Sequence, residues 1–303
     1  MKTITRTNIY LPIMKRIAIT IAAGSLLAAF ASAQPTRVSN QNLLTYVLTN
    51  NPQTGAAKFG AVDMGSGAFL EIGPGLPADL GHGLMPAPGS SLLSLAVSGD
   101  LYSIDLRTGL PSKVGATGLG DCSTPASPCG PNSAVTLGYV GGKYYALDFS
   151  QNLYSVDPAT GATKLIGPTG IPAITIVPGS IDPATGKLNL YFESLFSFRG
   201  KLYANFDTSQ FDFSNGSLTA VVPAALYEID PDTGAAHMIA PTDVGLLTIV
   251  NVNETIYAFD AAHRRFVALD LKTGQTEAIS NIDPSAGLAC GATPARPMPS
   301  DLP

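Results

Sequence analysis

Two patterns in this chain place oxygen ligands at spacings that could do chemistry. The first is an aspartate followed by Ser or Thr three residues later and Gly four residues later. It occurs at Asp63, Asp105, Asp157, Asp230 and Asp270, with Gly67, Gly109, Gly161, Gly234 and Gly274 closing each copy. A ring of such carboxylates would hold a cation or a polar substrate. The same spacing is what a tight turn needs, because the Asp side chain accepts hydrogen bonds from N–H groups two or three residues on and Gly supplies the positive φ. Apolar alternation on both sides of each copy favours the turn. The second pattern is the run from Asp207 to Gly216, which gathers Asp207, Ser209, Asp212 and Asn215. Calcium takes several such oxygens, but the spacing is not that of an EF-hand, and a polar loop is the simpler reading. Phe211 and Phe213 in the same run offer an aromatic platform for a sugar or a peptide.

Other candidates are sparse. Glu193 is the carboxylate placed in the middle of an inner strand, with Glu254 at the end of another. Glycoside hydrolysis needs two carboxyls about 5 to 9 Å apart, and one does not make that pair. Of the three histidines, His82 and His263 fall on the same side as the long loops, whereas His237 lies within an outer strand. No nucleophile elbow, HExxH helix or phosphate-binding glycine loop occurs. Cys122 and Cys129 bracket a Pro-rich loop and are expected to form a disulfide, leaving Cys290 unpaired.

The elements that must position these residues follow from the repeat. LYSVDPATGATKLIG, residues 153 to 167, aligns without gaps with segments starting at 59, 101, 226 and 266. Each copy reads as a β-hairpin. Upstream lie further strand-like runs, LLTYVLT at 43, SLLSLAV at 91, KYYALDF at 143, KLYANFD at 201 and TIYAFD at 255. Before the last three come VTLGYV at 135, LNLYFESLF at 188 and LLTIVNV at 246. The unit is a meander of four strands, a to d. Copies begin 42, 52, 73 and 40 residues apart, which suits propeller blades with insertions. The fold expected is an all-β propeller of five four-stranded blades, closed by GLACGA at 287 to 292 acting as strand a of the first blade. Six blades remain the alternative, with a degenerate one in residues 168 to 200.

Strand direction alternates in a meander, so a–b and c–d turns share one face while b–c and d–a loops share the other. The long insertions are all on the second face: 73 to 83, the Cys122–Cys129 loop, 168 to 187 and a b–c loop from Thr208 to Pro223. Insertions gathered on one face mark the binding face of a repeat protein. The ligand-binding residues expected there are Phe211, Phe213, Asp212, Asn215, His82 and His263. The reading is a binding or scaffold protein that recognises a protein or a carbohydrate. The alternative is a hydrolase or lyase with an axial site near Glu193.

Composition sets the remaining bounds. Met14-Lys15-Arg16, the apolar run Ile17 to Phe30 and Ala31-Ser32-Ala33 form an export signal over residues 1–33. The propeller domain then spans 34–293 and a Pro-rich tail 294–303. Export implies a periplasmic or extracellular, monomeric protein without stable membrane insertion. A net charge of −5 and a pI near 5.1 argue against nucleic acid as a partner.

The hairpins, VALDLKTG at 267 above all, resemble the repeats of secreted bacterial β-propellers, including the pyrroloquinoline-quinone (PQQ) dehydrogenase-like group. The resemblance implies a propeller fold and, in the quinoproteins, eight blades with a Trp soon after each TG. This chain has no Trp and room for fewer blades, so no cofactor is expected and no cofactor residue is carried over.

Overall fold

The computed structural model describes residues 43–50, 57–77, 80–96, 98–120, 132–176, 181–281 and 287–292. Its elements are strands throughout, in five four-stranded antiparallel sheets that form a five-bladed β-propeller. Blade 1 contains β1 (Leu44–Asn50), β2 (Ala57–Asp63) and β3 (Phe69–Glu71). Blade 2 is β4 (Leu80–Ala87), β5 (Ser91–Ala96), β6 (Asp100–Asp105) and β7 (Pro111–Ala116). Blade 3 is β8 (Ala134–Val140), β9 (Lys143–Asp148), β10 (Asn152–Val156) and β11 (Thr163–Pro168). Blade 4 is β12 (Leu188–Phe198), β13 (Lys201–Asp212), β14 (Ser217–Ile229) and β15 (Ala236–Pro241). Blade 5 is β16 (Leu246–Val252), β17 (Thr255–Asp260), β18 (Arg265–Leu269) and β19 (Thr276–Asn281).

The last strand, β20 (Gly287–Ala292), returns to blade 1 and pairs antiparallel with β1, placing Tyr46 opposite Ala292 and Asn50 opposite Gly287. The expected closure by the C-terminal stretch is what forms. The innermost strands β20, β4, β8, β12 and β16 then touch in a closed cycle. The six-blade alternative fails: residues 181–187 make a turn, with Gly186 N–H donating to the Asp182 carbonyl at 2.8 Å, and run directly into β12.

Alternation along each strand supplies two apolar faces, and each neighbouring pair of blades buries one of them. Tyr46 and Leu48 pack toward Leu84, Leu92 and Ile104 of blade 2, while Val47 packs toward Val250, Tyr257, Phe259 and Phe266 of blade 5. Equivalent clusters join blades 2 and 3, 3 and 4, and 4 and 5. No blade could bury both faces alone, which is why the ring must close.

The five Asp-Gly turns are c–d turns, as the spacing predicts. In each, the Gly N–H donates to the Asp carbonyl four residues back, at 2.7 to 2.9 Å. The carboxylates point at their own turns: Asp157 accepts from Ala159 N–H at 2.9 Å and Thr160 Oγ1 at 2.8 Å, and Asp230 from Asp232 N–H and Thr233 Oγ1, each at 2.9 Å. Backbone N–H groups and the Thr hydroxyls accordingly hold Asp157, Asp230 and Asp270 below the usual carboxylate range. For Asp105 the Thr108 hydroxyl leads.

Two expectations about loops need correction. Thr208 to Pro223 is not a loop: β13 and β14 continue as a long hairpin to a turn at residues 213–216, with β12 paired alongside up to Leu188↔Phe211. Residues 73 to 83 are also shorter as a connection than expected, because β4 begins at Leu80 and takes His82 into strand a of blade 2.

Candidate functional site: the arm of blade 4 and the acids at its root

The extension of β13 and β14 forms an arm on the long-loop face. Its turn repeats the scaffold's chemistry. Gly216 N–H donates to the Asp212 carbonyl at 2.8 Å, and Asp212 Oδ1 accepts from Ser214 N–H at 2.8 Å and Ser214 Oγ at 2.6 Å. Asn215 Oδ1 accepts from Ser217 N–H at 2.8 Å. The Ser214 hydroxyl, then its N–H, lead in lowering the Asp212 pKa. Of the oxygens that suggested a cation loop, those of Asp212 and Asn215 are therefore engaged by the turn itself, while Asp207 and Ser209 lie at the arm's root. At the tip Phe213 is 46% exposed and meets the half-buried Phe211 edge-on at 5.2 Å between ring centroids.

At the arm's root lies a feature that the sequence reading missed. Strand b of blades 3, 4 and 5 carries a buried aspartate: Asp148 and Asp260 end β9 and β17 in Tyr-Ala-Leu-Asp148 and Tyr-Ala-Phe-Asp260, whereas Asp207, in Tyr-Ala-Asn-Phe-Asp207, lies within β13. All three carboxylates are buried, at 1%, 3% and 0% exposure. A carboxylate recurring in an otherwise apolar run of strand b was the available signal. In blade 3 Asp148 closes the b–c turn, accepting from Asn152 N–H at 2.8 Å, Asn152 Nδ2 at 3.0 Å and Tyr154 Oη at 3.0 Å. In blade 5 Asp260 does the same with His263 N–H at 3.1 Å, His263 Nδ1 at 2.7 Å and Arg265 Nε at 2.9 Å. Blade 4 has moved its b–c turn out to the arm's tip, and Asp207, one residue past the strand position of Asp148 and Asp260, points to the opposite face of its blade. Its Oδ2 accepts from Ser209 Oγ at 3.0 Å, while Oδ1 is without a hydrogen bond among the described residues. Burial pushes Asp207 up to about 7, against the pull of the Ser209 hydroxyl and the Phe192 amide.

Glu193 sits on β12 and faces blade 3. Gln151 Nε2 donates to its Oε2 at 3.3 Å. Gln151 itself holds a left-handed φ of 62° in the b–c turn. Among the described residues the Oε1 atoms of both Glu193 and Gln151 lack partners. A neutral Glu193 resolves both at once, since its O–H can donate to the amide oxygen while the amide donates back. Burial pushes its pKa up to about 8, with Asp148 adding to the rise and Gln151 opposing it. Phe192 opposes Asp207 and Glu193 opposes Phe206 in the sheet, so the two acids point to opposite faces of blade 4. They do not form a two-carboxylate hydrolytic site. Glu254 is far from any such role, in the exposed a–b turn of blade 5, paired with Arg199 at 2.8 Å.

His263 belongs to the b–c turn of blade 5, on the same face as the arm. His82 is on the innermost strand of blade 2 and His237 on β15. Among the described residues no cluster of His, Cys, Asp and Glu could hold a metal, and no helix is long and apolar enough to cross a membrane. Cys122 and Cys129, residues 1–33 and the tail lie outside the described residues.

No family model matches the chain, and no curated protein matches it. Solved structures do. A nidogen/laminin complex aligns at 13% identity and a TM-score of 0.45, over 82% of this chain and 97% of that one. A structure from Bacteroides thetaiotaomicron aligns at 15% and 0.45, over 78% of this chain and 55% of that one. The PQQ-bound aldose sugar dehydrogenase of Streptomyces coelicolor aligns at 13% and 0.37, over 71% and 82%. The likeness is one of fold. The number of blades rests on this chain's own sheets.

Proposed function

We propose that this chain is an exported binding protein that engages a protein or glycan through its long-loop face, with the arm of blade 4 as the principal contact. The observation that carries this reading is the tip of the arm, where a half-exposed phenylalanine is braced by a second ring on a turn locked by Asp212 and Asn215. An aromatic held rigid in solvent loses little entropy on binding and offers a stacking face for a sugar or an apolar side chain. His263 on the neighbouring blade adds a polar group on the same face.

The enzymatic reading has less support. Glu193 is buried against a neutral amide, Asp207 of the same blade faces the other way, and Asp148 across the seam is held by Asn152 and Tyr154. The test is a glycan array together with the secreted proteome of the source organism, probed with immobilised protein. The double variant Phe211→Ala/Phe213→Ala is expected to lose at least about tenfold in affinity for the captured ligand. Capture unchanged by the double variant would sink the proposal.

A further inference from the structure

The arm is a three-stranded sheet with two unlike faces and one open edge. Directly opposed residues share a face. Leu188, Phe211 and Leu218 therefore form one row across β12, β13 and β14, with Leu190, Ser209 and Ala220 beside it on the same face. Leu188, Leu190, Phe211 and Leu218 are half-buried. Asn189, Gln210 and Thr219 form a polar row on the other face, where Gln210 Nε2 donates to Asn189 Oδ1 at 3.1 Å. β15 covers the outer edge of β14 from Ala225 to Ile229, and the Thr242 N–H adds a bond to the Ala224 carbonyl at 2.9 Å. Beyond that point, residues 217–222 have no strand on their outer side among the described residues.

An open strand edge is a template for another strand, and proteins guard such edges with charge. The five outer strands of the ring follow that rule. Each carries an exposed ionisable side chain: Glu71, Lys113, Lys164, His237 and Glu277. Edge-to-edge pairing of two copies of a strand with Glu71, Lys113, Lys164 or Glu277 would bring like charges together. The arm's edge departs from the rule. Residues 217–222 read Ser-Leu-Thr-Ala-Val-Val, without an ionisable group, and Thr219, Ala220 and Val221 are exposed. This edge can therefore meet itself without electrostatic cost. We propose that two copies of this chain join by antiparallel pairing of their β14 edges over residues 217–221, about a two-fold axis at Thr219. The axis of such a pair is normal to the sheet, so Thr219 meets its own counterpart and both Leu188–Phe211–Leu218 rows fall on one side. The two arms become one sheet with a single wide apolar surface. The turn at residues 213–216 stays outside the pairing, so the inference stands apart from what Phe213 binds.

Sedimentation velocity of the purified protein from about 1 to 100 µM tests this, with a shift from one to two chain masses expected as concentration rises. Across the same range hydrogen exchange should slow within residues 217–221 and stay constant on the five outer strands. Thr219→Lys and Thr219→Glu should each raise the dimer Kd at least about tenfold, because each sets like charges face to face. Mixed in equal amounts, the two variants should recover the dimer, a rescue that follows from pairing of the edge with itself. Leu165→Lys, at an exposed position of outer strand β11, should leave the dimer unchanged. One chain mass at every concentration, a dimer indifferent to Thr219→Lys, or a loss that mixing does not rescue would overturn the proposal. If either Thr219 variant does not fold, the wild-type exchange pattern decides: a dimer whose residues 217–221 exchange as fast as the monomer's rejects the edge.

Discussion

The Asp-x-x-x-Gly turn occurs in two settings in this molecule. On the scaffold it closes c–d hairpins; at the arm's tip it closes a hairpin in solvent. The backbone bond is the same, 2.8 Å from Gly274 to Asp270 and from Gly216 to Asp212, and both glycines take a left-handed φ, 72° and 71°. What differs is the neighbour. A Cβ on Gly109, Gly234 or Gly274 would meet a backbone oxygen of the preceding blade's outer strand or its end, Ile72 at 2.3 Å, Gly167 at 2.8 Å and Pro241 at 2.0 Å. A Cβ on Gly216 would meet nothing within 4 Å. The scaffold glycine is thus a contact between blades as well as a hinge for its own turn. The arm's turn has the same internal stiffness, and its glycine faces open space among the described residues, with Lys187 3.9 Å from the Asp212 carboxylate as the nearby charge.

The largest expected effect separates the two glycines directly. Gly274→Ala adds left-handed strain and forces blade 5 off blade 4, for a loss of about 4 kcal/mol. Gly216→Ala carries the strain alone, about 1 kcal/mol. Urea unfolding of the two variants side by side checks this, and equal losses would erase the distinction.

Next comes pH. Glu193 stays protonated in the fold to about 8, whereas the unfolded chain releases that proton near its ordinary 4.5. Its contribution to stability is therefore fully present below about 4.5 and declines as pH rises to about 8. Asp207, raised to about 7, adds a loss of the same sign that levels off sooner. Between pH 5 and 8 the Glu193 part amounts to about 3 kcal/mol. Glu193→Gln keeps an amide pair with Gln151 and removes the ionisation, so its stability profile should flatten by that amount. An unchanged slope would mean that the seam of blades 3 and 4 does not hold a neutral acid.

A smaller effect contrasts the buried acids of strand b. Asp260→Asn withdraws a carboxylate that accepts three hydrogen bonds, two from His263 and one from Arg265, and should cost about 2 kcal/mol. Asp207→Asn removes an under-bonded carboxyl group and should cost nothing or stabilise. Similar losses from both would mean that Asp207 is satisfied in a way its hydrogen bonds do not reveal.

Much of the ring was legible in the sequence because its determinants are local. Asp157, Thr160 and Gly161 specify a turn within five residues, and strand alternation such as Tyr46-Val47-Leu48 specifies two buried faces. The C-terminal closure followed from counting strands. The arm was not legible, since Asp207-Thr208-Ser209-Gln210 has a loop's composition. These residues form a strand because Leu188–Phe192 lies beside them, a non-local pairing, and Gln210 Nε2 reaches Asp182 at 2.8 Å and Asn189 at 3.1 Å. The contact made by each scaffold glycine was hidden for the same reason: the turn is local, its partner strand belongs to another blade.

The smallest effect tests whether the arm belongs to the cooperative unit at all. Asp270→Ala and Asp212→Ala remove the same kind of cap: Asp270 Oδ1 accepts from Lys272 N–H at 2.8 Å, and Asp212 Oδ1 accepts from Ser214 N–H at 2.8 Å. Each lost cap is worth about 1 kcal/mol. In blade 5 the turn rests on its neighbour, so the loss should appear in global unfolding. At the tip, where Phe211 and Phe213 pack together and Lys187 lies 3.9 Å from Asp212, it should appear as faster hydrogen exchange of the amides around residues 213–219, with the global midpoint moved by less than about 0.5 kcal/mol. If Asp212→Ala lowers the global midpoint as far as Asp270→Ala does, the arm is part of the scaffold. Its aromatic tip would then lose the independence on which the binding proposal depends.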